Sequence, residues 1–315
     1  MGYLYITAII GMDIKEKIKK PIKVGEELYL TNNSGHFIKS IKPEQSLAIG
    51  SLEANWLFNG NPVIYSNKPT KNKEESHTDT IKFMRDCLAF LCMLWIEKDN
   101  SLNVELGFAI KKNDGHVHSN SLSYNYWNCH GKKKSLELNS TGLKKIYTKF
   151  GALFAGMGIG DEPEHTMQRK EIGRAGIGIN FLQQARATND LGIKIANYCS
   201  LFETFLSTTN VELSHQMAER AAFYLRTDPA DRLDLYKKCK KAYGVRSQVV
   251  HGAKISAKTI SNLVELSEHC DEVARQLIIK YLFDKKFSEA IESSDNSKLD
   301  TFFINKIFGI LPENA

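Results

Sequence analysis

The stretch NDLGIKIANYCSLFETFL, residues 189–206, decides how the second half of this chain folds. Its apolar residues recur at steps of four and three: Leu191, Ile195, Tyr198, Phe202 and Phe205. This period places them on one side of an α-helix, and Asn189 or Asp190 can cap the first turn. The stretch therefore predicts an amphipathic helix that buries one face in a helical domain.

The same kind of pattern continues toward the end of the chain. It predicts further helices from Ser214, from Asp228-Pro229 to Tyr243-Gly244, across Val245–His251, from Ser256 to Tyr281, and over Leu299–Ile310. We therefore predict an all-α domain over residues 188–315.

The first half of the chain mixes strand and helix patterns. Strands are predicted at Tyr3–Ile10, Ile22–Leu30, Asn61–Tyr65 and Val104–Ile110, with helices at Ile81–Trp95 and Leu143–Phe154. These elements indicate a mixed α/β domain over 1–155. Our functional hypothesis assigns it a sensor or regulatory role, which the strand and helix patterns do not themselves show. The glycine-rich stretch 156–187 is predicted to be a linker. The fold class is therefore α+β, with a helical bundle after the α/β domain.

Composition places the chain among folded, cytoplasmic proteins. Hydrophobic residues make up 42% and charged residues 25% of the 315 positions. The longest apolar run, Cys87–Ile96, is shorter than the roughly 20 residues of a membrane-spanning helix, and no signal peptide is recognisable. The six cysteines form no Cys-x-x-Cys pair, so we expect reduced thiols.

Positive charge is concentrated in one segment of the predicted bundle. Residues 229–258 hold eight basic and two acidic side chains, an excess equal to the net charge of +6 of the whole chain. A basic cluster attracts polyanions such as RNA, while a lysine-rich, solvated helix face would give the same count. The lysines assigned to RNA binding are Lys237, Lys240, Lys241 and Lys254.

The segment Arg246-Ser247-Gln248-Val249-Val250-His251 is the candidate catalytic site. RNA carries its own nucleophile, the 2′-hydroxyl, next to the phosphate that it attacks. A histidine near neutral pH suits the proton transfers, and an arginine donates two hydrogen bonds to a phosphate. This chemistry requires no cofactor and no metal. The plain alternatives are a surface ion pair for Arg246 and a helix cap before Gly252 for His251.

The spacing of these two residues constrains how they can act. Residues five apart on a regular helix point about 140° away from each other. Arg246 and His251 therefore converge on one phosphate only if the segment begins in a loop, or if a two-fold axis brings a second copy alongside. Ser247 and His251 are four apart and share a face, so Ser247 can orient the imidazole or contact the phosphate.

Three segments resemble the HEPN superfamily, specifically its Apea-like branch. Tyr198–Leu206 resembles the first helix of that branch with its central glutamate, Glu203, and Ala218–Ala222 resembles the second helix with its arginine, Arg220. Tyr243–Gly252 is similar to the signature Tyr-x-x-Arg-Ser-x-apolar-apolar-His-Gly. The resemblance covers about a third of the chain.

The resemblance implies a four- or five-helix bundle that forms a homodimer, with two Arg…His segments facing one cleft. It also implies a metal-independent endoribonuclease of phage defence, abortive infection or toxin systems, with an antitoxin or a phage-derived trigger as a further partner. Arg246 would bind the phosphate and His251 would be the acid or base, with Ser247 and Tyr243 in support. Because unpaired charges beside apolar stripes are costly, Glu203 and Arg220 are predicted to pair with each other.

Two other interpretations of the bundle stay open. It could be a non-catalytic dimer that binds RNA or a nucleotide for signalling, or a scaffold whose basic face meets an acidic protein. No metal site is predicted, since His116-x-His118 and Cys129-His130 lack the spacing of zinc ligands.

Overall fold

An α/β unit and a helical unit divide the chain. The structure is a computed structural model and describes residues 2–69, 73–112, 114–122, 124–154, 173–254 and 256–310. The first unit comprises the described residues up to Tyr126 and from Lys133 to 154, and the second comprises Trp127–Lys132 and the described residues from Gly173 onward. Within the described ranges, no helix is long and apolar enough to cross a membrane.

A six-stranded antiparallel sheet forms the centre of the first unit, in the order β3-β4-β5-β1-β6-β7. Its strands are β1 (Gly2–Ala8), β3 (Ile22–Lys23), β4 (Tyr29–Thr31), β5 (Val63–Pro69), β6 (Leu106–Lys111) and β7 (Val117–Ser121). A separate parallel pair joins β2 (Met12–Asp13) to β8 (Leu136–Glu137). The helices of this unit are α1 (Pro43–Ile49), α2 (Ser51–Phe58), α3 (Lys73–Glu97) and α4 (Ser140–Phe154), with 3-10 turns at Ser34–His36 and Ile38–Ser40.

Strand β1 is buried on both faces because helices cover both sides of the sheet. Leu4 and Ile6 point into an apolar cluster that includes Leu57 of α2. On the opposite face Tyr5 lies against α3, with its ring 6.0 Å from that of Phe83. Alternate residues of one strand therefore contribute to two different layers of the core, which accounts for the nearly continuous apolar sequence of β1.

All the regular secondary structure of the second unit, among the described residues, is helical. Its helices are α5 (Arg174–Ala187), α6 (Leu191–Leu206), α7 (Leu213–Leu225), α8 (Pro229–Val250), α9 (Ala257–Ile260), α10 (Leu263–Phe283), α11 (Lys285–Glu292) and α12 (Asn296–Phe308). Helix α6 lies at the centre, against α5, α7, α8 and α10. The predicted apolar stripe of α6 is buried, and the Asp190 side chain caps the helix by accepting from the Ile193 N–H at 2.8 Å.

The structure confirms the α+β fold class and corrects three details. Residues 174–187 of the predicted linker form α5, while 156–172 lie outside the described residues. Helix α8 continues through Gly244 instead of ending there, and the long helix predicted from Ser256 is divided into α9 and α10. Packing against α6 accounts for α5 and for the continuation of α8 through Gly244, because burial of an apolar face outweighs local glycine content.

A short segment from the first half of the chain belongs to the helical unit. The Trp127 N–H donates to the Arg186 carbonyl at 2.8 Å, and Ser267 Oγ donates to the Cys129 carbonyl at 2.6 Å. The boundary of the predicted 1–155 domain is therefore wrong for residues 127–132. A sequence pattern could not reveal this segment because it has no periodic apolar residues of its own.

Candidate functional site

Helix α8 carries the predicted catalytic segment and presents two chemically different faces. Its inner face is buried and consists of Leu235, Cys239, Ala242 and Val245. Its outer face is exposed and cationic. By helical phase, Lys237, Lys240, Lys241, Ser247 and His251 lie within about 120° of one another on this outer face. The predicted RNA-binding lysines of α8 therefore share one side of the helix with the predicted catalytic histidine.

The end of α8 fixes the position of His251. The Ala253 N–H donates to the Gln248 carbonyl at 2.8 Å and the Gly252 N–H to the Val249 carbonyl at 3.3 Å. With Gly252 at φ +65°, this pair of bonds is a Schellman motif, which requires a residue that tolerates the left-handed region. The His-Gly pair thus ends the helix and holds an exposed imidazole at its last position.

Arg246 lies on the opposite side of α8, at its half-buried border with α6. Its Nη2 donates to Glu203 Oε2 at 3.3 Å, and the two side chains are 23% and 19% exposed. The guanidinium also stacks on Tyr243, with Cζ 5.4 Å from the ring centroid. Since Arg246 is part of a regular helix, its side chain points about 140° away from His251 of the same chain.

Two buried polar atoms of the Arg246–Glu203 pair, Arg246 Nε and Glu203 Oε1, lack hydrogen-bond partners among the described residues. Gln248 Oε1 is a further such atom on α8, but residue 248 lies about 160° around the helix from Arg246. Buried polar atoms in folded proteins nearly always have a partner, so a group of them calls for an explanation. One donor and one acceptor are thus available at this pair to an incoming molecule or to a second copy of the chain.

Burial also alters the protonation of the acidic residue in this cluster. It raises the pKa of the Glu203 carboxyl, an effect that the Arg246 guanidinium opposes. Burial similarly raises the pKa of the Tyr243 phenol. The site therefore combines a permanent cation with a carboxylate that accepts a proton more readily than an exposed one.

The remaining predicted site residues are accessible. Ser247 is half-buried and contacts His251 through its backbone, because the His251 N–H donates to the Ser247 carbonyl at 3.1 Å. Lys237, Lys241 and Lys254 are exposed, as is Lys240, whose Nζ donates to Ser214 Oγ on α7 at 2.8 Å.

The predicted pairing of Glu203 with Arg220 is wrong. Glu203 pairs with Arg246, whereas Arg220 pairs with Asp300 of α12 and donates to the Leu206 carbonyl at 2.8 Å. Arg220 is buried and its Cζ lies 5.0 Å from the centre of the Phe303 ring. It therefore anchors α12 onto α7, a role that sequence could not reveal without knowing where α12 packs.

Sequence reasoning also missed Gln248, whose carboxamide oxygen is buried without a partner among the described residues. Helical spacing places residue 248 on the outer side of α8, with the lysines. The spacing alone therefore gives no reason to expect a buried polar atom at this residue.

His269 of α10 makes the stability of the helical unit sensitive to acid. Burial and the neighbouring Lys238 lower the pKa of His269 to about 4, and its Nε2 is buried without a partner among the described residues. The unfolded chain binds a proton at this residue near pH 6.5, so stability is lost as the pH falls from 6.5 to 4. The expected loss is about 3 kcal/mol.

Urea unfolding at pH 7, 5.5 and 4 would measure this loss. Because carboxylates also titrate in this range, the matched comparison is His269→Gln, whose glutamine cannot titrate. As the pH falls, the unfolding free energy of wild type should decrease more than that of His269→Gln, so the difference between the two proteins changes in favour of the variant. An unchanged difference would contradict the assignment.

In the parts of the chain that the structure describes, no group of three or more His, Cys, Asp or Glu side chains is arranged to hold a metal ion. His116 and His118 lie in the first unit, and Cys129 and His130 lie in the second.

Comparisons with protein-family models, with curated proteins and with solved structures find no match for this chain.

Proposed function

We propose that the chain is an endoribonuclease that needs no metal and acts as a homodimer, with its active site on α8. The observation that carries the proposal is the Arg246–Glu203 pair, in which a buried guanidinium Nε and a buried carboxylate oxygen have no hydrogen-bond partner among the described residues. The exposed histidine and lysines of the same helix support it, because they provide an acid–base group and a cationic surface for RNA. The similarity of Tyr243–Gly252 to the Apea-like HEPN signature points to the same reaction.

In the proposed reaction the 2′-oxygen attacks the neighbouring phosphorus and the bond from phosphorus to the 5′-oxygen breaks. His251 takes the proton of the 2′-hydroxyl or supplies a proton to the leaving 5′-oxygen. Arg246 donates hydrogen bonds to the non-bridging oxygens, where negative charge accumulates. The products are a 2′,3′-cyclic phosphate and a 5′-hydroxyl.

The directions of the two side chains support a site shared between subunits. The continuous helix leaves Arg246 and His251 of one chain diverging by about 140°, so the loop alternative considered from the sequence does not apply. The proposal therefore requires a two-fold axis that brings Arg246 of one chain beside His251 of the other. The lysines Lys237, Lys240 and Lys241 would then continue the RNA path along each copy of the helix.

A cleavage assay tests the proposal. The purified full chain is incubated with a labelled RNA in excess EDTA, and the product ends are identified by their sensitivity to phosphatase before and after acid opening of the cyclic phosphate. Cleavage in chelator with cyclic-phosphate ends is the expected result. A requirement for a divalent ion, or 3′-hydroxyl products, would refute the mechanism.

Gly244 is a candidate for part of the proposed subunit contact, on the side of α8 that carries His251. A Cβ built at this exposed, mid-helix glycine meets no atom within 4 Å, so nothing within the described chain requires glycine here. Glycine costs a helix roughly 0.5–1 kcal/mol relative to alanine. A close approach by a second copy of α8 would explain why this cost is tolerated.

We therefore expect Gly244→Leu to raise the dissociation constant of the dimer at least tenfold. Gly244→Ala should instead stabilise the monomer by up to about 1 kcal/mol. Sedimentation and urea unfolding measure the two effects. Glu289→Leu, on the exposed surface of α11, is the matched control. If Gly244→Leu associates like wild type, the contact lies elsewhere.

The second candidate function is a non-catalytic dimer that holds RNA or a nucleotide. The engagement of Arg246 by Glu203 favours it, because a guanidinium already paired with a carboxylate binds phosphate less readily. RNA binding that weakens steeply with salt, without any cut products, would distinguish this candidate.

For the enzyme, a role in phage defence or as a toxin held by an antitoxin is part of the proposal. Growth arrest of cells that express wild type, relieved in His251→Ala, would support that role.

A further inference from the structure

A groove between α7 and α12 lies outside the proposed active site. Its volume is about 470 Å³, within the range of ligand-binding pockets. One wall is apolar and consists of Val211, Phe303, Ile304, Ile307 and Phe308, and the other wall carries Glu212, His215, Gln216, Glu219 and Arg220. The two walls therefore offer different chemistry to whatever binds between them.

Much of the apolar wall is exposed to solvent. Phe303 is buried at the base of the groove, whereas Phe308 is 74% and Val211 73% exposed. Ile304 and Phe308 are one helical turn apart on α12, so they form the outer half of an apolar stripe. Contiguous exposed apolar surface of this kind marks a contact with another molecule.

The polar wall has a negative charge. Arg220 is neutralised by its ion pair with Asp300, which leaves the carboxylates of Glu212 and Glu219 as the charged groups that line the groove. His215 donates to or accepts from Tyr236 at 2.9 Å and lies 4.0 Å from Glu219. The exposed Lys240 reaches Ser214, which does not line the groove.

Glu212, which carries one of these carboxylates, has an unusual backbone conformation. Glu212 is the only non-glycine residue of the described chain with a positive φ, at +52°. This region is unfavourable for a residue with a side chain, and such strain persists only when surrounding contacts hold it. The neighbouring loop is held by Gln216, whose Oε1 accepts from the Thr208 N–H at 3.1 Å.

We propose that this groove binds a cationic amphipathic helix of a partner protein. Apolar side chains of that helix, spaced three and four residues apart, would pack on Ile304 and Phe308. Lysine or arginine side chains on its flank would pair with Glu212 and Glu219. An anionic segment is disfavoured by the same two carboxylates. The inference does not depend on the proposed ribonuclease activity.

The test uses the full chain and two synthetic peptides of about 16 residues, one a leucine–lysine amphipathic helix and the other its leucine–glutamate counterpart. Fluorescence anisotropy measures their binding at about 0.1 M salt. The basic peptide is expected to bind with a dissociation constant on the order of 10 μM and the acidic peptide at least tenfold more weakly.

Two variants assign the binding to the groove. Phe308→Ser and Glu219→Lys should each weaken binding of the basic peptide by at least fivefold. Their matched controls are Leu52→Ser, which changes an 80% exposed leucine of the first unit, and Glu289→Lys on α11. Both controls should bind like wild type, and thermal unfolding confirms that all four variants fold.

Several outcomes would overturn the proposal. Binding that is unchanged in both groove variants, or equally reduced in the controls, would place the peptide elsewhere. Equal affinity for the acidic peptide would refute the role of the carboxylates. If Phe308→Ser dissociates an oligomer of wild type, a second copy of this chain occupies the groove. If no peptide binds to the full chain, the groove is not a docking site for such a helix.

Discussion

His251→Ala is expected to lower the rate of RNA cleavage by about 10³-fold, within the range that a positioned acid–base group contributes. His251 is exposed at the last position of α8 and its backbone is held by the Schellman motif that Gly252 completes. Alanine at this position keeps those backbone bonds, so the fold and the cationic face of α8 remain. The loss should therefore appear in the rate of cleavage and not in RNA affinity. Gel-based cleavage and anisotropy binding, run on the same RNA, separate the two quantities.

The matched control is His130→Ala. His130 is another partly exposed histidine of the helical unit, and its side chain pairs with Glu268 at 3.4 Å, a surface pair of little energetic weight. This variant should cleave at the wild-type rate. Cleavage by His251→Ala at the wild-type rate would show that the imidazole takes no part in the reaction.

The second prediction concerns two inactive variants mixed together. If each site takes Arg246 from one chain and His251 from the other, a heterodimer of Arg246→Ala and His251→Ala contains one intact site. With random exchange of subunits, half of the dimers are heterodimers, so the mixture should recover about a quarter of wild-type activity. Each variant alone should stay near background. The rate of cleavage after brief exposure to mild denaturant and refolding measures the recovery.

This experiment also tests the geometry of α8 directly. A site formed within a single chain would give no recovery, because every chain in the mixture lacks one of its two residues. A mixture of His251→Ala with wild type provides the reference for exchange. Recovery in the mixed variants, together with monomer formation by Gly244→Leu, would place the two-fold axis beside α8.

Much of the helical unit could be predicted because its helices carry strong local signals. The apolar stripe and Asp190 cap of α6 and the Asp228-Pro229 start of α8 are properties of adjacent residues. The prediction that α8 ends at Gly244 is wrong. Glycine disfavours a helix by only about 1 kcal/mol, and packing of the residues on both sides of Gly244 outweighs this cost. The signal that does end the helix is Gly252, eight residues later.

The partners of charged residues were harder to predict than the helices. Glu203 does pair with an arginine, as the cost of an unpaired charge near the core requires. The choice between Arg220 and Arg246 depends on how α6, α7 and α8 pack, and sequence spacing contains no information on that. Likewise, the groove between α7 and α12 joins residues about ninety positions apart.

Arg246 belongs to the packing of α8 against α6 as well as to the proposed site. Changes at residue 246 would remove a half-buried ion pair and a stacked ring, and so would lower the amount of folded protein along with its chemistry. Changes at His251 would leave the protein at its normal level. Consider a selection for cells that survive overexpression of a harmful chain. Survivors altered at His251 would contain abundant, inert protein. Survivors altered at Arg246 would contain little protein, because proteases remove most of it.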